Sequence, residues 1–280
     1  VLTEVKAYSS WQSAPTLLLD ENGRAETDLI QVRNIDGLDP VKASVNTTPF
    51  GSVDGTSYVG SSVPSRNIVL TVRPNPDWDN WTYSDLRRLL YAYFMPKRQT
   101  RLVFYSDDMD PVEISGFVES ADNNQFSKDP EFIVSVICPD PYFTSLEPIV
   151  LTGQANAEGP TLIEYEGSIE TGIYVKVTAI DGPDPTGIEV QIGDPVISSL
   201  DVATTVDNLK YFEMSSVSMQ KYVQNVNLLT GVIENLLSKT HVAEGSTWPM
   251  LQPGENEFFL ITDQGTQDWE LTYFARYGGL

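Results

Sequence analysis

The sequence predicts a mainly β protein of two β-rich domains, with one α-helix lying across the first. Three observations predict it. Short segments alternate large apolar with small or polar residues, the period of a half-buried strand. A single stretch, 83–95, carries the apolar spacing and start signal of a helix. Between Pro139 and Pro148 the pattern breaks on closely spaced prolines, and the helix signal mostly disappears beyond them. These place the domains at 1–143 and 144–280. At 280 residues the chain has length for two cores, and its 41% hydrophobic fraction describes a globular protein.

In the first half, strands are expected over 67–73, 101–105, 112–118 and 132–138, the last apolar enough to be buried on both faces. Thr82 and Asp85 form the cap of the helix, Leu86, Leu89, Leu90, Tyr93 and Phe94 recur on one face, and Pro96 ends it. Asp36-Gly37, Asp54-Gly55 and Asp181-Gly182 mark turns, because glycine accepts positive φ. The small polar segment 46–66 reads as a protruding hairpin that grips a neighbouring subunit, or equally as a mobile loop. In the second half, short strands over 173–179, 187–192, 210–214, 257–262 and 268–276 suggest an all-β sandwich. The leucine-rich stretch 228–239 has helical spacing, with a turn and strand as the alternative because of Gly231.

The net charge is −22, from 12 basic and 20 acidic residues in 1–145 and 5 and 19 in 146–280. Such a surface repels phosphate backbones. Two readings stay open: a self-repelling soluble surface, or an acidic wall past which DNA slides without sticking. No run of about 18 apolar residues exists, so membrane insertion is not expected. The start of the sequence lacks signal-peptide character, and the single cysteine, Cys138, excludes an internal disulfide framework. Both agree with folding in a reducing compartment.

Catalytic patterns are sparse. His241 is the only histidine, which removes two-histidine metal motifs, and no nucleophile elbow, phosphate loop or dinucleotide fingerprint is present. The neighbours Glu164 and Glu166, and the acidic run Asp107-Asp108-Met109-Asp110, read more readily as chance surface carboxylates than as a glycosidase pair or a calcium loop. No catalytic, cofactor or metal residue is therefore expected, and the protein is not expected to be an enzyme. Arg87, Arg88, Lys97, Arg98 and Arg101 gather five cations in fifteen positions. They are candidate subunit contacts, or else a solvated helix face with cations favoured at its C-terminal end. Trp248 and Trp269 are candidate glycan-stacking residues, with core packing as the commoner use of such rings.

Several stretches together resemble the distal tail (Dit) family of long-tailed phages. They include Ile35-Asp36-Gly37-Leu38-Asp39-Pro40-Val41, Arg66-Asn67-Ile68-Val69-Leu70, Leu86-Arg87-Arg88-Leu89-Leu90, Gly116-Phe117-Val118-Glu119 and Phe126-Ser127-Lys128. Others are Val136-Ile137-Cys138-Pro139-Asp140-Pro141-Tyr142-Phe143, Leu251-Gln252-Pro253-Gly254-Glu255-Asn256-Glu257-Phe258 and the closing Tyr277-Gly278-Gly279-Leu280. The resemblance spans nearly the whole chain and is weakest over 194–246. It implies an N-terminal, tail-tube-like β-sandwich with a flanking helix, and a galectin-like C-terminal β-sandwich at the periphery. It also implies a hexameric ring joining the tail tube to tail-tip or baseplate proteins, at the distal end of the virion tail, with a channel for DNA. The family brings no catalytic residue or cofactor. A tail-tip adhesin acting on glycans through the second domain is the alternative.

Overall fold

A computed structural model describes the chain apart from residues 20–28, 52–53, 77–78, 125–129, 194–195 and 238–246, and apart from the side chains of 17 and 179–181. His241 and the stretch Phe126-Ser127-Lys128 lie outside the described residues. The chain divides into two units, Val1–Leu146 with Tyr277–Leu280, and Glu147–Arg276. Sequence pattern assigns the last four residues to the second half. The structure groups them with the first, where the Leu280 N–H donates to the Leu38 carbonyl at 3.1 Å.

The first unit contains β1 (Leu2–Ser9), β2 (Thr16–Leu19), β3 (Ile30–Asp36), β4 (Ser44–Pro49), β5 (Thr56–Ser62), β6 (Arg66–Pro74), α1 (Tyr83–Phe94), β7 (Gln99–Ser106), β8 (Val112–Asn123), β9 (Phe132–Cys138) and β10 (Phe143–Ser145). Seven strands form one antiparallel sheet in the order β2-β1-β7-β8-β9-β6-β3, with β10 added on β8. The outer strands β2 and β3 approach each other, so the sheet curls like a barrel. Alternation in sequence becomes alternation of burial: in β6, Ile68, Leu70 and Val72 point inward while Asn67 faces out. Strand β9 departs from the expectation of burial on both faces, because Ile133 is exposed on the face opposite Phe132, Val134 and Val136.

Helix α1 closes the core. The Asp85 N–H donates to Thr82 Oγ1 at 3.3 Å, and the Thr82 N–H donates back to Asp85 Oδ2 at 3.1 Å, a reciprocal cap. Leu86, Leu90, Tyr93 and Phe94 are its buried face, packed into a cluster with Val5, Leu70, Leu102, Phe104 and Val134. Met95 is extended and Pro96 follows, so the helix stops where the ring forbids continuation.

The second unit contains β11 (Ile149–Gln154), β12 (Thr161–Tyr165), β13 (Thr171–Gly172), β14 (Tyr174–Asp181), β15 (Gly187–Ile192), β16 (Ser198–Ala203), β17 (Lys210–Ser215), β18 (Tyr222–Asn227), β19 (Ile233–Asn235), β20 (Met250–Leu251), β21 (Gly254–Thr262) and β22 (Thr266–Tyr273), with Arg276–Tyr277 the last strand segment of the chain. A six-stranded sheet, β11-β22-β14-β17-β18-β19, and a four-stranded sheet, β12-β21-β15-β16, make a sandwich. Rings meet between the two sheets: Phe258 lies 4.9 Å from Trp269, and Tyr165 lies 5.8 Å from Tyr273.

The helix reading of 228–239 is corrected over its described residues, 228–237, in favour of the turn and strand. Asn227 Oδ1 accepts from the N–H groups of Leu229 and Thr230 at 3.0 and 2.9 Å, an Asx turn that competes with a helix start. Gly231 takes φ +68°, and its N–H reaches the Asn227 carbonyl at 2.8 Å. The chain therefore reverses into the short strand β19 instead of winding.

Candidate functional site

Two surfaces of the first unit hold the side chains that could meet another protein. One is the β4–β5 hairpin, a two-stranded sheet of its own, exposed along nearly its whole length. Val45, Phe50, Tyr58 and Val59 are 57%, 54%, 64% and 67% exposed on it. Threonine, valine and tyrosine give these strands their β preference, and the Asp54-Gly55 turn, with Gly55 at φ +112°, reverses them. A lone two-stranded hairpin is marginal in water, and large apolar groups along one gain by being covered.

The other surface is the end of α1 and the start of β7. Its five cations do not form one free patch. Arg101 donates to Glu113 at 2.8 Å on the neighbouring strand, and its guanidinium lies 4.3 Å from the Tyr8 ring centroid. Arg98 donates to the Ala92 carbonyl in the last turn of the helix at 3.1 Å and stacks 4.2 Å over Trp11. Both guanidiniums thus serve the fold, Arg98 by satisfying a helix C-terminal carbonyl. Arg88 pairs loosely with Asp85, one helical turn away, at 3.7 Å. Arg87 is half-buried, and Lys97 is exposed in a left-handed turn at φ +69°.

The glycan-stacking reading is corrected for Trp269, which is 4% exposed between Phe258 and Gly153 and offers no face to a sugar. Trp248 is half-buried, with the Lys221 ammonium 5.2 Å over its ring. Glu164 and Glu166 are both exposed, Glu164 on β12 and Glu166 beyond its end. Among the described residues, no three His, Cys, Asp or Glu converge as metal ligands. The Ser106 hydroxyl, ahead of the nearby N-terminal ammonium, holds the Asp108 carboxyl below its ordinary value.

Sequence reasoning missed Arg66. It is 1% exposed and donates to four main-chain carbonyls: Pro141 at 2.6 Å, Asp39 at 2.8 Å, Gly37 and Gly278. Its guanidinium also lies 4.5 Å from the Phe143 ring. Burial pushes its pKa down, the cost of taking a cation from water. The side chain ties β6 to the Asp36-Gly37 turn, the proline connector and the closing residues 277–280. The planar fork of arginine suits this arrangement of acceptors.

Residues 25–138 match the family model of the phage tail protein RIFT-related domain. The fold is similar to the crystal structure of the Dit protein of phage SPP1, described as a paradigm of the hub adsorption apparatus in phages that infect Gram-positive bacteria. That likeness has a TM-score of 0.66 at 17% identity and covers 97% of this chain and 98% of that one. Residues 25–138 thus resemble a phage tail domain, and the chain as a whole has a Dit-like fold. A baseplate chain of phage P2, in the activated conformation with calcium, is also similar, with a TM-score of 0.46 at 9% identity over 99% of both chains. No curated protein matches the sequence. The matching family and fold are those of structural phage tail proteins, which are virion components, and not of enzymes.

Proposed function

We propose that this chain is the distal hub of a phage tail. Residues 1–143 associate as a ring, a hexamer as the family resemblance implies, and residues 144–280 form its peripheral domain. The ring joins the tail tube to the tail-tip or baseplate proteins at the distal end of the virion tail. It leaves a channel past whose acidic lining DNA slides without binding. The protein folds in the host cytoplasm, before the tail assembles.

The observation that carries this reading is the β4–β5 hairpin, which presents four large apolar side chains to solvent. A second copy, placed by rotation about a ring axis, offers a surface to cover them. Lys97, Arg87 and Arg88 are the basic residues best placed to meet acidic groups of a neighbour, since Arg98 and Arg101 already have partners within the subunit. The Dit-like fold and the tail-domain match support the same assignment.

Replacing residues 46–60 by a short turn tests it. The full-length variant is expected to stay folded, because the hairpin lies outside the core, and to lack the ring that the parent is expected to show by native mass spectrometry. A ring unchanged by the deletion would remove the hairpin from the account.

A further inference from the structure

The turn at 228–232 leaves an apolar surface on the second unit, away from the β4–β5 hairpin on which the proposed ring rests. Leu228, Leu229, Val232 and Ile233 belong to the stretch whose spacing reads as helical; in the β18–β19 turn and at the start of β19 they are 53%, 78%, 64% and 58% exposed. Leu209, 50% exposed, joins them from the preceding turn, where its carbonyl accepts from the Leu228 N–H at 2.7 Å. Five aliphatic side chains thus crowd the same end of the six-stranded sheet, at its β19 edge. Solitary exposed leucines are ordinary, whereas a contiguous group at a sheet edge marks a place where something binds.

Charge selects among the occupants. Asp207 anchors the neighbouring turn through the Leu209 N–H at 2.8 Å, and Glu234 stands between Ile233 and Asn235 on the edge strand, with Lys210 a nearby cation among the described residues. Around them, residues 146–280 carry 19 acidic against 5 basic side chains. The same tip of a second copy would bring an equally acidic surround against this one, and an anionic lipid surface is repelled in the same way. We propose that this apolar tip docks a protein partner whose aliphatic residues are flanked by lysine or arginine. The leucines supply the buried area, and the acidic surround supplies attraction and orientation.

The inference stands apart from the ring reading and has its own test. Two fluorescent peptides share a central run of leucine and valine, one flanked by lysines and its twin by glutamates. Each is titrated by fluorescence anisotropy against the full chain, against Leu229→Asp and against Val232→Asp. Both positions are exposed turn residues, so the variants should keep the parent's thermal midpoint; Leu229→Ser serves as a neutral control. The lysine peptide should bind at least about tenfold tighter than its twin, and the advantage should shrink as salt rises. Each aspartate variant should weaken that binding about tenfold. Non-specific attraction to an acidic protein would instead strengthen when an aspartate is added. Unchanged or tighter binding by the variants, or no preference for the lysine peptide, overturns the proposal. So does a self-association that Leu229→Asp abolishes, because the occupant is then a second copy.

Discussion

Arg66 shows how one residue can hold segments far apart in sequence. Arg66→Lys offers three mobile donors in place of a planar fork and leaves buried carbonyls unmet. We expect a loss on the order of 3 kcal/mol in urea unfolding. Amide exchange at Leu280, whose N–H rests on Leu38, should rise with it. Cys138 is buried beside this site, and burial pushes its thiol to about 11. The native protein should therefore resist a thiol reagent at pH 8 and react fully once unfolded; prompt labelling of native protein would contradict the burial. In the second unit, a Cβ at Gly153 would sit 2.5 Å from the Trp269 ring, so Gly153→Ala should cost about 1–3 kcal/mol. None of these three sites was legible in sequence. A buried arginine bound to main-chain oxygens has no charged partner at a readable spacing. Trp269 reads the same whether its strand turns it inward or outward, a choice made by register.

At the scale of elements, legibility followed how local the cause is. Helix α1 was readable because its cap, apolar face and terminating proline all lie between residues 82 and 96. Thr82→Ala should cost about 1 kcal/mol. The Thr82 hydroxyl, then its backbone N–H, hold the Asp85 carboxyl below its ordinary 3.8. A depressed carboxyl contributes stability above its ordinary value, and the contribution vanishes as pH falls through the lowered folded one. The difference between parent and Thr82→Ala should accordingly be full at pH 6 and shrink below pH 3.8, as read by urea midpoints across that range. The 228–239 stretch misled because its leucines keep a helical period while Asn227 and Gly231 impose a turn. Those two residues were visible, and their turn chemistry outweighs the period. The 46–66 segment yielded a hairpin or a loop with equal force, since its strands lack the buried face that fixes a period.

For the whole molecule, strand alternation made the mainly β fold legible. The curling of the first sheet was not, because closure depends on a contact between the edge strands β2 (Thr16–Leu19) and β3 (Ile30–Asp36), which no residue pattern announces. The charge of −22 argues that assembly must be driven by apolar contact or by cations on the partner. Raised salt should therefore favour association of identical copies by screening their repulsion, and weaken the docking of a lysine-flanked partner on the β18–β19 tip. The hub reading stands or falls on whether copies of this chain close on one another. Native mass spectrometry of the purified full chain, alone and with tail-tube protein, measures that most directly. The account predicts a single closed oligomer, six copies, that disappears when residues 46–60 are replaced; a strict monomer at high concentration, with no ring on adding tube protein, would contradict it.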